Sequence, residues 1–137
     1  MSPATASHDS RLAEVFEFQN GQIVQELGYD DDVDLDIRDA IEDVIDADLE
    51  DEDSQEIVDA VIVWFRKDDG DLVDYLQDAL GALVAGGPVW VLAPKPGRPG
   101  HVEPADVVEA ADLAGLRAMN AVSLSTDWSG TRLASRA

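Results

Sequence analysis

Cysteine is absent from the 137 residues. That excludes disulfides, thiolate zinc sites, iron–sulfur ligation and a cysteine nucleophile together. Basic residues are scarce: nine Lys and Arg face thirty acids, for a formal net charge of −21. A surface of that sign repels a phosphate backbone, so no direct nucleic-acid binding is expected. Histidine occurs only at His8 and His101, which excludes metal sites built on two or three histidines. No apolar run approaches the roughly 20 residues of a membrane helix. The stretch Met1 to Ser10 has neither a cationic start nor an apolar core, so no secretion signal is read there and a cytoplasmic location is expected. Walker, Gly-x-Gly-x-x-Gly, Gly-x-Ser-x-Gly and Ser-x-x-Lys patterns are all missing, and with them the common phosphate loops and serine nucleophiles. Neither a cofactor nor a catalytic residue is expected.

What remains reads as a compact three-layer, Rossmann-like α/β domain over residues 12–137, preceded by a disordered tail over residues 1–11. Leu12 to Phe18 is apolar without a clear period. Gly21 to Gly28 is read as a short strand closed by glycine. From Asp36 the pattern turns helical, with Ile37, Ile41, Val44 and Ile45 on one face and Asp39, Glu42, Asp43 and Asp46 on the other. Asp34 or Asp36 suits the N-cap. The acidic run Asp48 to Asp53 is read as a solvated loop. Val58 to Phe65 and Val89 to Ala93 are continuously apolar, as strands covered on both faces are. Between them Leu72, Tyr75, Leu76, Ala79, Leu80 and Leu83 form an amphipathic stripe predicted to run to Gly86-Gly87. Strand, helix and strand make a βαβ unit with parallel strands. Pro104 opens a further helix with Val107, Val108, Ala111 and Leu113 predicted to face inward and Gly115 ending it. Two short strands, about 118–123 and 128–135, close the chain as an antiparallel hairpin. The total is about five strands, three of them parallel.

Two constellations stand out. The acids Asp30, Asp31, Asp32, Asp34 and Asp36 alternate as calcium ligands can, but an EF-hand loop begun at Asp30 places Ile37 and Ile41 at its seventh and twelfth positions and lacks the central glycine. Helix-capping, solvated acids are the simpler reading, and no metal is expected. The loop from Pro94 to His101 concentrates Lys95, Arg98 and His101 in a chain otherwise poor in cations. It leaves the C-terminal end of a buried parallel strand, where open α/β folds bind ligands. It reads either as an anion or acidic-peptide contact, with Trp128 and Arg132 of the last strand covering it, or as a rigid connector whose cations sit in the protein's own negative field.

The stretches LGYDDDVDLDIRDAIEDV, DDGDLVDYLQDALGALVAGGPVWVLAPKPGRPGHVEPADV and DWSGTRL resemble the domain-of-unknown-function 3052 family of small acidic proteins from high-GC Gram-positive bacteria. The resemblance implies an actinobacterial, cytoplasmic protein and implies no activity. More weakly, GQIVQELGYD, DAVIVWF and LVAGGPVWVLAPKPG resemble the first, fourth and fifth strands of class I S-adenosylmethionine-dependent methyltransferases. That likeness implies the strand order first, second, third, fifth, fourth. The chain departs from the methyltransferase pattern where Gly28 is followed by Tyr29 and three aspartates instead of a glycine-rich loop, and where residues 45–56 are too few for two further strands.

Three functions are consistent with these readings. The first is a non-catalytic binding or regulatory module acting through its acidic face, Asp39, Glu42, Asp43 and Asp46, toward a basic protein, through its cationic Pro/Gly loop, or through both. The second is a degenerate methyltransferase-like domain holding a small anionic or nucleotide-like ligand. The third is an acidic nucleic-acid mimic occupying a basic groove. No membrane partner is expected.

Overall fold

Alternation of side chains across a central sheet divides the core into two halves. The computed structural model describes residue 12 and residues 14–135; the tail expected over residues 1–11 lies outside them. The elements are β1 (Val24–Leu27), α1 (Leu35–Ile45), β2 (Ala60–Trp64), α2 (Leu72–Leu80), β3 (Val89–Pro94), α3 (Pro104–Leu113), β4 (Leu116–Ala118), β5 (Val122–Ser123) and β6 (Trp128–Ser135). The sheet order is β1-β2-β3-β6-β4, with β5 also paired to β6. β1, β2 and β3 are parallel, while β6 runs antiparallel to β3, β4 and β5. This is the predicted order, with the fourth strand split in two. Ala118 pairs with Leu133 and Val122 with Gly130. Four steps on one strand thus oppose three on the other, and the extra residue breaks the ladder as a bulge does.

On one face Val61, Val63 and Val91 pack against Leu72, Leu76 and Ala79 of α2 and Val107 and Ala110 of α3. On the other, Ile62, Trp64, Trp90 and Leu92 pack against Ile37, Ile41 and Ile45 of α1 and against Leu12, Phe16 and Phe18. The N-terminal apolar residues without a period are therefore core, with Phe16 stacked on Phe18 and edge-on to Trp90. No helix among the described residues is long and apolar enough to cross a membrane.

Four local expectations are corrected. The run Asp48 to Asp53 is only partly a solvated loop, because Glu50 bridges β1: Glu26 N–H donates to Glu50 O at 2.8 Å and Glu50 N–H to Val24 O at 2.9 Å. Helix α2 stops at Leu80 instead of reaching Gly86. The reason is competition for its backbone, since Val58 N–H donates to Ala82 O and Val84 N–H to Val58 O, drawing residues 82–84 out beside β2. Leu80 is consequently exposed. In α3 the buried set is Val107, Ala110 and Ala111, leaving Val108 and Leu113 in solvent.

Helix α1 covers the opposite face from α2 and α3. A right-handed crossover running outward from β1 to Glu50 puts its helix on one face; one running the other way, from β2 to β3, puts its helix on the other. The reversal falls between β1 and β2, which makes the crevice above their C-terminal ends the switch point of the sheet.

Candidate functional site

The corner between β1 and β2 is occupied by the protein itself, while a hollow of about 350 Å³ lined by Glu26, Tyr29, Arg38 and Asp51 stays open on the outer side of β1. Gly28, with a positive φ of 78°, turns the chain out of β1 directly against β2; a Cβ there would stand 2.2 Å from Trp64 O. Arg66, just past β2, reaches back into this corner with its side chain only 12 % exposed. Its Nη1 donates to Gly28 O at 2.7 Å, Trp64 O at 3.2 Å and Asp69 Oδ2 at 3.1 Å. Its Nε donates to Asp32 Oδ2 at 3.0 Å, and Nη2 completes a two-pronged pair with the same carboxylate. Trp128 covers it, with the guanidinium carbon 5.6 Å from a Trp128 ring centroid. Burial pushes the Arg66 pKa down, but the bonds to Asp32 and Asp69 outweigh it and the net shift is upward; the plug is a permanent cation.

Beside it, Glu26 is buried on β1 at 5 % exposure. Its carboxylate accepts from Arg38 Nε at 2.7 Å, Arg38 Nη2 at 2.9 Å and Trp64 Nε1 at 2.8 Å. Tyr29 lies over the Arg38 guanidinium at 4.9 Å. The hydrogen bond to Glu26 raises the Arg38 pKa against the cost of burial. A bidentate, charge-assisted pair of this kind fixes geometry as well as charge, and here it ties α1 to β1 and β2. Sequence reasoning passed over Glu26, Arg38 and Arg66. The one available signal was a glutamate inside an apolar strand with few arginines to pair with it.

The cationic loop is likewise engaged from within. Lys95 Nζ donates to Ser123 Oγ, Arg98 pairs with the Asp127 carboxylate, and His101 Nδ1 lies 2.9 Å from Pro94 O with Nε2 3.5 Å from Glu103. Trp128 is buried, edge-on to Trp64 at 4.8 Å. Arg132 sits toward the other end of the sheet, across from Trp90 near the start of β3, and does not join the group. A groove of about 620 Å³ does open beside Lys95, but Asp34, Asp36 and Asp127 line it too, a poor setting for an anion.

The acids divide by role. Asp34 caps α1, accepting from the N–H groups of Asp36 and Ile37; Asp32 is spent on Arg66. Glu42 accepts from Leu49 N–H at 2.9 Å, and Asp46 ends α1 in the left-handed conformation. Asp36, Asp39, Asp43 and Asp46 are all exposed. Their spacing of three, four and three residues sets them on one side of the helix, a stripe about 15 Å long.

The fold is that of methyltransferases. A S-adenosylmethionine-dependent methyltransferase from Aquifex aeolicus superposes with a TM-score of 0.63 at 11 % identity, covering 97 % of this chain and 93 % of that one. The magnesium protoporphyrin IX methyltransferase of Synechocystis PCC 6803 gives 0.57 at 11 % identity, covering 96 % and 79 %. Among sequence relatives, uncharacterised proteins of Mycobacterium tuberculosis and Mycobacterium bovis are each 48 % identical over 128 residues, 93 % of this chain and 80 % of theirs. With its residues 13–137 matching that family's model, the chain belongs to the family described as Protein of unknown function (DUF3052).

Proposed function

We propose that this chain is a non-catalytic binding module on a methyltransferase fold, recognising a basic protein through its acidic α1 face. The observation that carries the reading is the Arg66 plug. Open α/β folds place ligands at the switch point, and here the Arg66 side chain, 12 % exposed, holds that corner with five bonds to protein acceptors. A nucleotide-like ligand entering there would have to break the bonds of Arg66 to Gly28, Trp64, Asp32 and Asp69. Calorimetry with S-adenosylmethionine is therefore expected to give no measurable binding. A micromolar Kd that disappears in Asp30→Lys would overturn this and favour a ligand-holding domain.

Recognition is read at the α1 stripe. Sixteen acids and one base, Arg38, lie between Asp30 and Asp59, and charge of that density speeds capture of cationic partners in a salt-sensitive way. Asp39→Lys with Asp43→Lys is expected to slow association with a basic protein captured by the intact chain by roughly tenfold at low salt. The difference should shrink at high salt. Glu42 is left in place because it holds the Leu49 backbone. Equal rates at both salts, with an unchanged circular dichroism spectrum, would end the reading. The continuous stripe also favours a narrower form of it, a nucleic-acid mimic; competition of DNA or RNA for the captured protein would single that form out.

A further inference from the structure

On the face of the sheet away from α1, a cleft of about 430 Å³ opens between the start of α2 and α3. Its floor is apolar, formed by Phe65, Leu72 and Ala110. One lip is Leu113, which the helical pattern assigns to the core but which stands 68 % exposed at the end of α3. Asp106, Glu109, Ala110 and Leu113 all line the cleft, and their spacing of three, one and three residues sets them on one face of α3. The rim is acidic, with Asp106 and Glu109 on α3 facing Asp71, the N-cap of α2. Lys67 is the one base at the cleft.

An apolar floor inside a polar rim is the anatomy of a protein-binding hot spot. Leu113 is the most exposed large apolar side chain among the described residues and adjoins that floor, a contiguous apolar patch that solubility alone does not call for. We infer that the cleft between α2 and α3 is a docking groove for a basic segment of a partner protein, with apolar side chains entering between Leu72 and Leu113 and Lys or Arg meeting Asp71, Asp106 and Glu109. The inference rests on the binding-module reading and goes beyond it: the α1 stripe sets the rate of encounter, and this groove sets how long the partner stays. Charge at a rim acts mainly on association, and buried apolar anchors act mainly on dissociation.

The test uses the intact chain and two synthetic probes of equal charge, a short oligolysine and a lysine–leucine peptide with leucines at helical spacing. The lysine–leucine peptide is expected to bind at least tenfold more tightly. Its amide shift changes should centre on Leu72, Ala110 and Leu113. Leu113→Lys should remove the tenfold advantage without moving the melting temperature, because the side chain is already in solvent. Asp43→Lys should leave the dissociation rate of the lysine–leucine peptide unchanged. Equal affinities for the two peptides, or shifts centred on α1 alone, would overturn the groove and leave the acidic-face reading standing. Failure of both peptides to bind would remove both. Shifts at Leu113 that grow with protein concentration and no peptide would identify a second copy as the occupant, which also overturns the inference.

Discussion

Gly28→Ala is expected to cost about 2–5 kcal/mol, against only about 1–2 kcal/mol for Gly21→Ala, as read from urea unfolding midpoints. Both glycines have positive φ, 78° and 89°, so both alanines incur the same left-handed backbone strain. They differ in what the new methyl group meets. At Gly21 nothing lies within 4 Å, whereas at Gly28 the methyl would sit 2.2 Å from the Trp64 carbonyl oxygen. That oxygen belongs to a central strand and also accepts from Arg66, so it cannot yield without moving β2 or the Arg66 plug. Equal losses for the two variants would show that close packing of Gly28 on β2 carries no energy, and with it would go the account of the occupied corner.

The second large effect lies in the sheet. Ile62→Ala and Leu92→Ala are each expected to lose about 2–5 kcal/mol. Both side chains are fully buried on the α1 face, among Ile37, Ile41 and Trp64. Deleting their branched ends leaves a cavity that packed helices on both faces prevent from collapsing. In a domain whose whole stability is of the order of 5–15 kcal/mol, either change approaches unfolding. Losses under half a kcal/mol at both positions would contradict a sheet covered on both sides.

The arrangement also explains how the domain holds its shape with one edge so short of strands. Among the described residues β1 has only Glu50 bridged to its outer side, and β-sheet edges left open invite wrong pairing. Acids crowd that edge: Asp51, Glu52 and Asp53 line a hollow beside the Glu26–Arg38 pair. Like charge along an exposed edge discourages a second strand from adding to it.

Much of the scaffold was determined by the sequence alone. Continuous apolar runs at 58–65 and 89–93 can be accommodated only where both faces of a sheet are covered, and a single amphipathic helix between them makes the strands parallel. The cap at Asp34, the proline opening α3 and the final hairpin follow from local chemistry in the same way. Tertiary structure decided the rest, wherever partners are remote in the chain. Arg66 meets Asp32 and Gly28 across 34 and 38 residues, and Trp64 meets Glu26 across 38; no periodicity encodes such pairs. The end of α2 was set by Val58 claiming its backbone, and the core role of Phe16 by Trp90. The site shifted for the same reason. Lys95, Arg98 and His101 look free in a sequence, but folding gave each an internal partner. Arg66 took the corner between β1 and β2, and Leu113 was left uncovered along with Leu35, Ile57 and Val108, because local pattern assigns a residue to a face while only packing decides whether anything covers it.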